Sequence, residues 1–117
     1  MQRILIVNND FETMTLLKSG LEKKHYEVLF TGNKNEIIPL TKTFEPQLIL
    51  IDILHKDIIC ELKMVNTINH IPILLMTGYT QRGNNEITEA DDTIEKPFDL
   101  SLLQQKIERL LSLGASL

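Results

Sequence analysis

The stretch that most limits what this chain can become is Leu48-Ile49-Leu50-Ile51-Asp52, an unbroken aliphatic run that ends in a carboxylate. Bounded upstream by Pro46, it predicts a strand buried on both faces, as the central strands of parallel sheets are. Asp52 is then the first residue out. In open α/β sheets, ligands and reactive groups gather beyond the carboxyl ends of the strands, which puts this acid where chemistry is done. The same position equally suits a strand terminator or a helix cap. What decides between these readings is whether other strands deliver polar groups to the same edge.

Taken in order, the chain supplies those strands. Ile4 to Val7 is a first aliphatic run, followed at once by Asn8, Asn9 and Asp10. Met14, Leu17 and Leu21 then recur at three- and four-residue spacing, which predicts one apolar helix face with Asp10 as its N-cap. Glu27 to Thr31 predicts a second strand ending at Gly32. Glu36 to Phe44 predicts a second helix that tolerates Pro39 only in its first turn. Ile58 to Val65 predicts a third helix, Ile71 to Met76 a fourth strand closed by Thr77-Gly78, and Thr93-Ile94 a short fifth strand running into Glu95-Lys96-Pro97. Leu100, Leu103, Ile107, Leu110 and Leu111 stripe a final helix, with Asp99 or Ser101 near its start. Strands alternating with helices in this way predict right-handed crossovers and a doubly wound parallel sheet with flanking helices.

Composition narrows the function. A chain of 117 residues suits one domain with an adequate core, here residues 1–113 with 114–117 as a C-terminal tail. A net charge of −4 and a pI near 5.3 give no electrostatic footprint for nucleic acid. The lone Cys60 excludes an internal disulfide, and no apolar run is long enough to span a bilayer. No signal-peptide pattern opens the chain, and the expected localisation is cytoplasmic. His25 and His70 fall in separate turns without metal-ligand spacing.

The sheet edge now has contents: Asn8, Asn9 and Asp10 after the first strand, Asp52 after the third, Thr77 after the fourth, Lys96 after the fifth. An acid, a hydroxyl and a cation converging with amide oxygens suit the handling of a phosphoryl group. Asp52 would accept it as an acyl phosphate, Thr77 would hydrogen-bond its oxygens, and Lys96 would neutralise its charge.

These residues carry a resemblance that covers essentially the whole chain. ILIVNND from Ile4, LILID ending at Asp52, ILLMTGY from Ile73 and ADDTIEKPF from Ala90 stand in the order and on the strand ends of a response-regulator receiver domain of two-component signalling. The resemblance implies a flavodoxin-like sheet in the order 2-1-3-4-5 and a phosphoryl group taken by Asp52 from a histidine kinase or phosphotransfer protein. It further implies phosphoryl oxygens held by Thr77 and Lys96, and a cis peptide before Pro97. The implied cofactor is Mg2+, held by Asp52, by Asn9, by the backbone carbonyl of Leu54, and by Asn8 or Asp10. The chain is expected to act as a single-domain member, with at most slow self-phosphorylation and self-dephosphorylation, signalling through contact with an output protein still to be identified.

Several departures from the family pattern bear on that expectation. The acidic pair after the first strand is replaced by Asn8 and Asn9, which bring no charge to a metal, and Mg2+ sites rely on one or two carboxylates plus water. Weak Mg2+ binding is therefore expected. The loop after Asp52 lacks the usual Pro and Gly and is shorter; such a short polar loop is more often simply solvated, and the alternative is that His55 or Lys56 lies near the site and replaces some of the missing positive charge. The fifth-strand position that is aromatic in the family is Thr93, too small to serve as a rotating lever. Gly83-Asn84-Asn85 are poor material for a fourth helix between Gly78 and Asp92, so that face is expected to be remodelled or mobile.

Two classes of function follow, a phosphoryl-accepting receiver and a pseudo-receiver that keeps the fold as an interaction module. A flavin or nucleotide carrier is disfavoured because Asn8-Asn9-Asp10-Phe11 lacks the small residues of a phosphate-cradling loop. If the amides weaken the metal site, Asn9→Asp should tighten Mg2+ in a calorimetric titration and speed phosphorylation. Unchanged affinity would place the defect elsewhere.

Overall fold

The computed structural model describes residues 1–65, 70–78 and 89–115. Five parallel strands, β1 (Arg3–Val7), β2 (Glu27–Thr31), β3 (Leu48–Asp52), β4 (Ile73–Thr77) and β5 (Asp92–Glu95), form one sheet in the order β2-β1-β3-β4-β5. This is the predicted doubly wound order. The helices are α1 (Phe11–Glu22), α2 (Ile37–Phe44), α3 (Ile58–Val65) and α4 (Leu100–Ala115), with 3-10 turns at Lys34–Glu36 and Ile53–His55. No described helix is long and apolar enough to cross a membrane.

The two-residue period of the strands divides the aliphatic side chains into two cores. Ile6, Leu50 and Met76 face one side and pack under α1 and α4, through Met14, Leu17, Leu103 and Ile107. Val7, Ile51 and Leu75 face the other and pack under α2 and α3, through Ile37, Ile58 and Leu62. Every residue of β3 is therefore buried, because a central parallel strand is covered on both sides. This explains why its run is unbroken. It also forces the first polar residue of the run to the sheet edge.

Caps and breakers set where the elements stop. Asp10 is the N-cap of α1, its Oδ1 accepting the Glu12 N–H at 3.2 Å, and Asp99 takes the same role at α4, accepting from Leu102 at 2.7 Å. α2 begins one residue later than predicted, at Ile37 after a 3-10 turn, so Pro39 lies in its first turn and costs no intrahelical donor. β4 begins at Ile73 and not at Ile71; Pro72 joins the ladder only through its carbonyl, which accepts from Ile49 at 3.0 Å. At the same end Asp91 accepts from the Ile73 N–H and from Lys63, each at 2.7 Å, with His70 at 3.5 Å. His70 is thus tied to the amino-terminal edge of the sheet, far along the strands from Asp52. His25 sits in the turn between α1 and β2 at a positive φ of 70°. The expected irregular face between Gly78 and Asp92 falls largely outside the described residues.

Leu50 is fully buried between the two neighbours of β3. Leu50→Ala should lower unfolding stability by about 2–5 kcal/mol in urea melts. A smaller loss would mean that the centre of the sheet can collapse around the gap.

Candidate functional site at the carboxyl edge of the sheet

Asp52 ends β3 with only 3 % of its surface exposed. It is held from two directions. Its Oδ1 is ion-paired with the Lys96 ammonium, and its Oδ2 accepts the Leu54 N–H at 3.1 Å, capping the 3-10 turn that follows. The capping and reactive readings of Asp52 are therefore compatible. One oxygen orders the turn while the other meets the cation. A buried carboxylate is tolerated only with such partners, since its desolvation costs several kcal/mol when uncompensated, by order of magnitude.

Lys96 reaches Asp52 because β4 and β5 run side by side to the same edge. Thr77 pairs with Glu95, and the Lys96 N–H continues the ladder by donating to the Thr77 carbonyl at 2.8 Å. The Lys96–Pro97 bond is cis, as the resemblance implies. Thr77 is half-buried on the last turn of the ladder, and its hydroxyl donates to no described side chain. The predicted trio thus shares one edge: Asp52 and Lys96 in contact, Thr77 beside them on β4.

The segment after β1 is equally constrained. Val7 pairs with Ile51, and Asn8 and Asp52 are the next residue on each side. Asn8 is buried, its N–H donating to the Thr31 carbonyl at 3.0 Å and its Oδ1 accepting the Asp10 N–H at 2.7 Å. Gly32 forms the wall behind it: a Cβ there would lie 3.0 Å from the Asn8 carbonyl oxygen and 3.3 Å from the Asn9 Cα. In the sequence Gly32 reads only as a strand end. Its role in letting the two loops close on each other depends on a contact that no local pattern reveals.

Asn9 is exposed, and its Oδ1 lies 2.5 Å from His55 Nε2. This contact fits the alternative in which the short loop brings His55 to the site, and not the more usual solvated loop. His55 closes the 3-10 turn three residues beyond Asp52, and side chains three apart in such a turn eclipse one another. Lys56 is half-buried at the C-cap of that turn. Asp10 caps α1, its Oδ2 accepting the Thr13 hydroxyl at 2.5 Å. That hydroxyl holds the Asp10 carboxyl below its usual pKa; desolvation opposes it, while the N–H groups of Glu12 and Thr13 and the Lys96 charge reinforce it. Thr93, at the family's aromatic position, is exposed and pairs with Leu75 in the ladder. Cys60 is exposed on α3.

The fit of these residues to Mg2+ is poor. Each side-chain oxygen of the expected ligand set already has a partner on this chain: Asn8 with Asp10, Asn9 with His55, Asp52 with Lys96 and Leu54, and Asp10 with Glu12 and Thr13. Among the described residues, no three His, Cys, Asp or Glu side chains assemble into a metal-holding group. Of the two carboxylates in the expected ligand set, Asp52 is paired with Lys96 and Asp10 caps α1.

Comparison with known proteins agrees with the architecture. The family model of the response regulator receiver domain matches residues 4–108. The chain is 32% identical to an uncharacterized transcriptional regulatory protein, YvcP, of Bacillus subtilis, over 95% of this chain and 49% of that protein. It is also 32% identical to the regulatory protein VanRB of Enterococcus faecalis, over 98% of this chain and 54% of that one. The chain therefore spans about half the length of these curated relatives. Among solved structures, the signal receiver domain of a signal transduction histidine kinase from Syntrophus aciditrophicus superposes with a TM-score of 0.83 at 28% identity, covering 96% of this chain and 91% of that one. A response regulator receiver domain protein from Clostridium thermocellum gives 0.85 at 20% identity, over 98% of both chains, a likeness of fold.

Because its pKa is lowered on folding, Asp10 contributes stability that is present above the unfolded value of 3.8 and lost as pH falls through the folded value. Asn can still cap, so Asp10→Asn should be less stable than the parent at neutral pH, with the gap closing in acid. Melting curves that stay separated to the lowest pH would contradict this.

Proposed function

The chain belongs to the response regulator receiver domain family, and from that premise we propose that it accepts a phosphoryl group on Asp52 from a phosphohistidine donor and passes the signal on by protein–protein contact. Receiver domains interact with histidine kinases or phosphotransfer proteins, and this chain's donor is proposed to be one of these. The observation that carries the proposal is the buried Asp52 carboxylate ion-paired with Lys96, with Thr77 on the adjacent strand end. Burial alone accounts for a cation beside Asp52, but it gives no reason for the half-buried Thr77 hydroxyl that ends the intervening strand at the same edge. This favours the phosphoryl acceptor over the pseudo-receiver.

The chemistry follows from those groups. A carboxylate oxygen of Asp52 attacks phosphorus in line with the P–N bond of the donor. The O–P bond forms as the P–N bond breaks, and the departing imidazole nitrogen keeps the electron pair and takes up a proton. Lys96 is already against the attacking carboxylate and offsets the charge gathered by the phosphoryl oxygens, while the Thr77 hydroxyl donates to one of them. The Leu54 N–H holds the second carboxylate oxygen in place, so the nucleophile is aimed before the donor arrives. Water attack on the acyl phosphate later releases inorganic phosphate and restores the carboxylate.

Receiver domains generally bind Mg2+ for phosphorylation. Here its binding is expected to be weak, because amides occupy the acidic-pair positions and the oxygens they supply are engaged.

Phosphoramidate has the P–N bond of the natural donor and needs no cognate kinase. Intact-mass measurement should find one phosphoryl group on the parent protein and none on Asp52→Asn. Lys96→Ala should slow incorporation on the order of 10²-fold or more, as removal of a preorganised charge-stabilising donor does, while keeping a cooperative melt. Incorporation on Asp52→Asn, or a Lys96→Ala protein that is merely unfolded, would contradict the assignment.

A further inference from the structure

We infer that this site holds its phosphoryl group without a divalent cation, because side-chain donors stand where a metal site needs free anionic oxygens. The inference rests on the reading of Asp52 as the phosphoryl acceptor. Its starting point is what an amide does that an acid cannot. Replacing a carboxylate by Asn removes one negative charge and adds an NH2 group with two donors. Asn8 uses its oxygen on the Asp10 N–H, which turns its nitrogen away from that bond. That nitrogen, Nδ2, is buried and has no hydrogen-bond partner among the described residues.

A buried donor left unpaired is costly, and a native structure normally satisfies it with water or a ligand. Asn8 and Asp52 each directly follow the last registered pair of β1 and β3, Val7 and Ile51. The ligand expected beside Asp52 is either a cation or a phosphoryl group. An NH2 donor repels the first and hydrogen-bonds the second. The orphaned nitrogen therefore fits the oxygens of a phosphoryl group and not a metal ion.

His55 acts in the same sense. Held at 2.5 Å from Asn9 Oδ1, it occupies the oxygen that a metal would use. A Mg2+ ion, which loses its water shell reluctantly, would have to displace His55 from Asn9 and Lys96 from Asp52, and would recover only one charge in exchange. A phosphoryl group on Asp52 leaves the His55–Asn9 contact in place and shifts Lys96 only from the carboxylate to the phosphoryl oxygens that the carboxylate then carries. It adds acceptor oxygens to a neighbourhood that already offers the Lys96 ammonium, the Thr77 hydroxyl and the Asn8 amide. One phosphoryl group carries three terminal oxygens, and these three donors come from three different strand ends.

Metal dependence of phosphorylation by phosphoramidate tests this directly. The parent protein should take up its phosphoryl group at the same rate in metal-free, chelator-treated buffer and in excess Mg2+. A metal-dependent site would lose about a hundredfold without the ion, since a bound metal contributes several kcal/mol to such a reaction. Asn8→Asp, nearly isosteric, should slow the metal-free reaction because it exchanges a donor for a charge. The double variant Asn8→Asp/Asn9→Asp should be the form that responds to Mg2+. A parent protein that reacts only with Mg2+ overturns the inference and leaves the phosphoryl reading standing. A parent that is inert under every condition while the double variant reacts in Mg2+ overturns the inference and, for the parent chain, the phosphoryl reading with it. If neither protein is modified on Asp52 under any condition, the phosphoryl reading fails and the inference falls with it.

Discussion

The Asp52–Lys96 ion pair is the constraint around which the carboxyl edge of this sheet is arranged. A carboxylate that is almost fully buried requires a cation and a hydrogen-bond donor close by, or it would neutralise instead. The fold supplies both locally. Lys96 arrives from β5, two strands away, because the ladder between β4 and β5 continues through its own N–H. Leu54 arrives from the turn that Asp52 itself caps. The surrounding donors then find their places relative to a carboxylate that cannot move far.

The rest of the structure serves to hold that edge still. Two aliphatic layers clamp β3 from both faces, and Gly32 lets the segment after β2 close against the segment after β1. The effect is to bury Asn8 while leaving Asn9 exposed beside His55. Adjacent amides thus have different work. Asn8 ties down the entry to α1 and keeps a donor in reserve, whereas Asn9 meets the short loop that follows Asp52.

Most of the fold was legible because parallel strands advertise themselves as aliphatic runs, and α1 and α4 as stripes at helical spacing. Boundaries moved by a residue or two where backbone hydrogen bonding, invisible in the sequence, decided the matter. β4 starts at Ile73 because Pro72 has no N–H to give. At the site, the rule that reactive groups lie beyond strand ends was enough to bring Asp52, Thr77 and Lys96 to one edge. It did not reveal the burial of Asn8, which reads as an ordinary loop residue until the Thr31 carbonyl and Gly32 are seen against it. Nor did it establish the His55–Asn9 contact, which depends on a 3-10 turn whose geometry no hydrophobic period encodes. The polar partners were legible as types, and their pairing was not.

The most direct test of the central claim is a two-dimensional amide NMR titration with beryllium fluoride, a stand-in for the acyl phosphate that requires no kinase. If Asp52 is the acceptor and Lys96, Thr77 and Asn8 attend it, saturable shifts should centre on the amides of Asn8, Leu54, Thr77 and Lys96. Spectra that do not change at saturating beryllium fluoride, or that change equally in Asp52→Asn, would show that the buried ion pair is only structural.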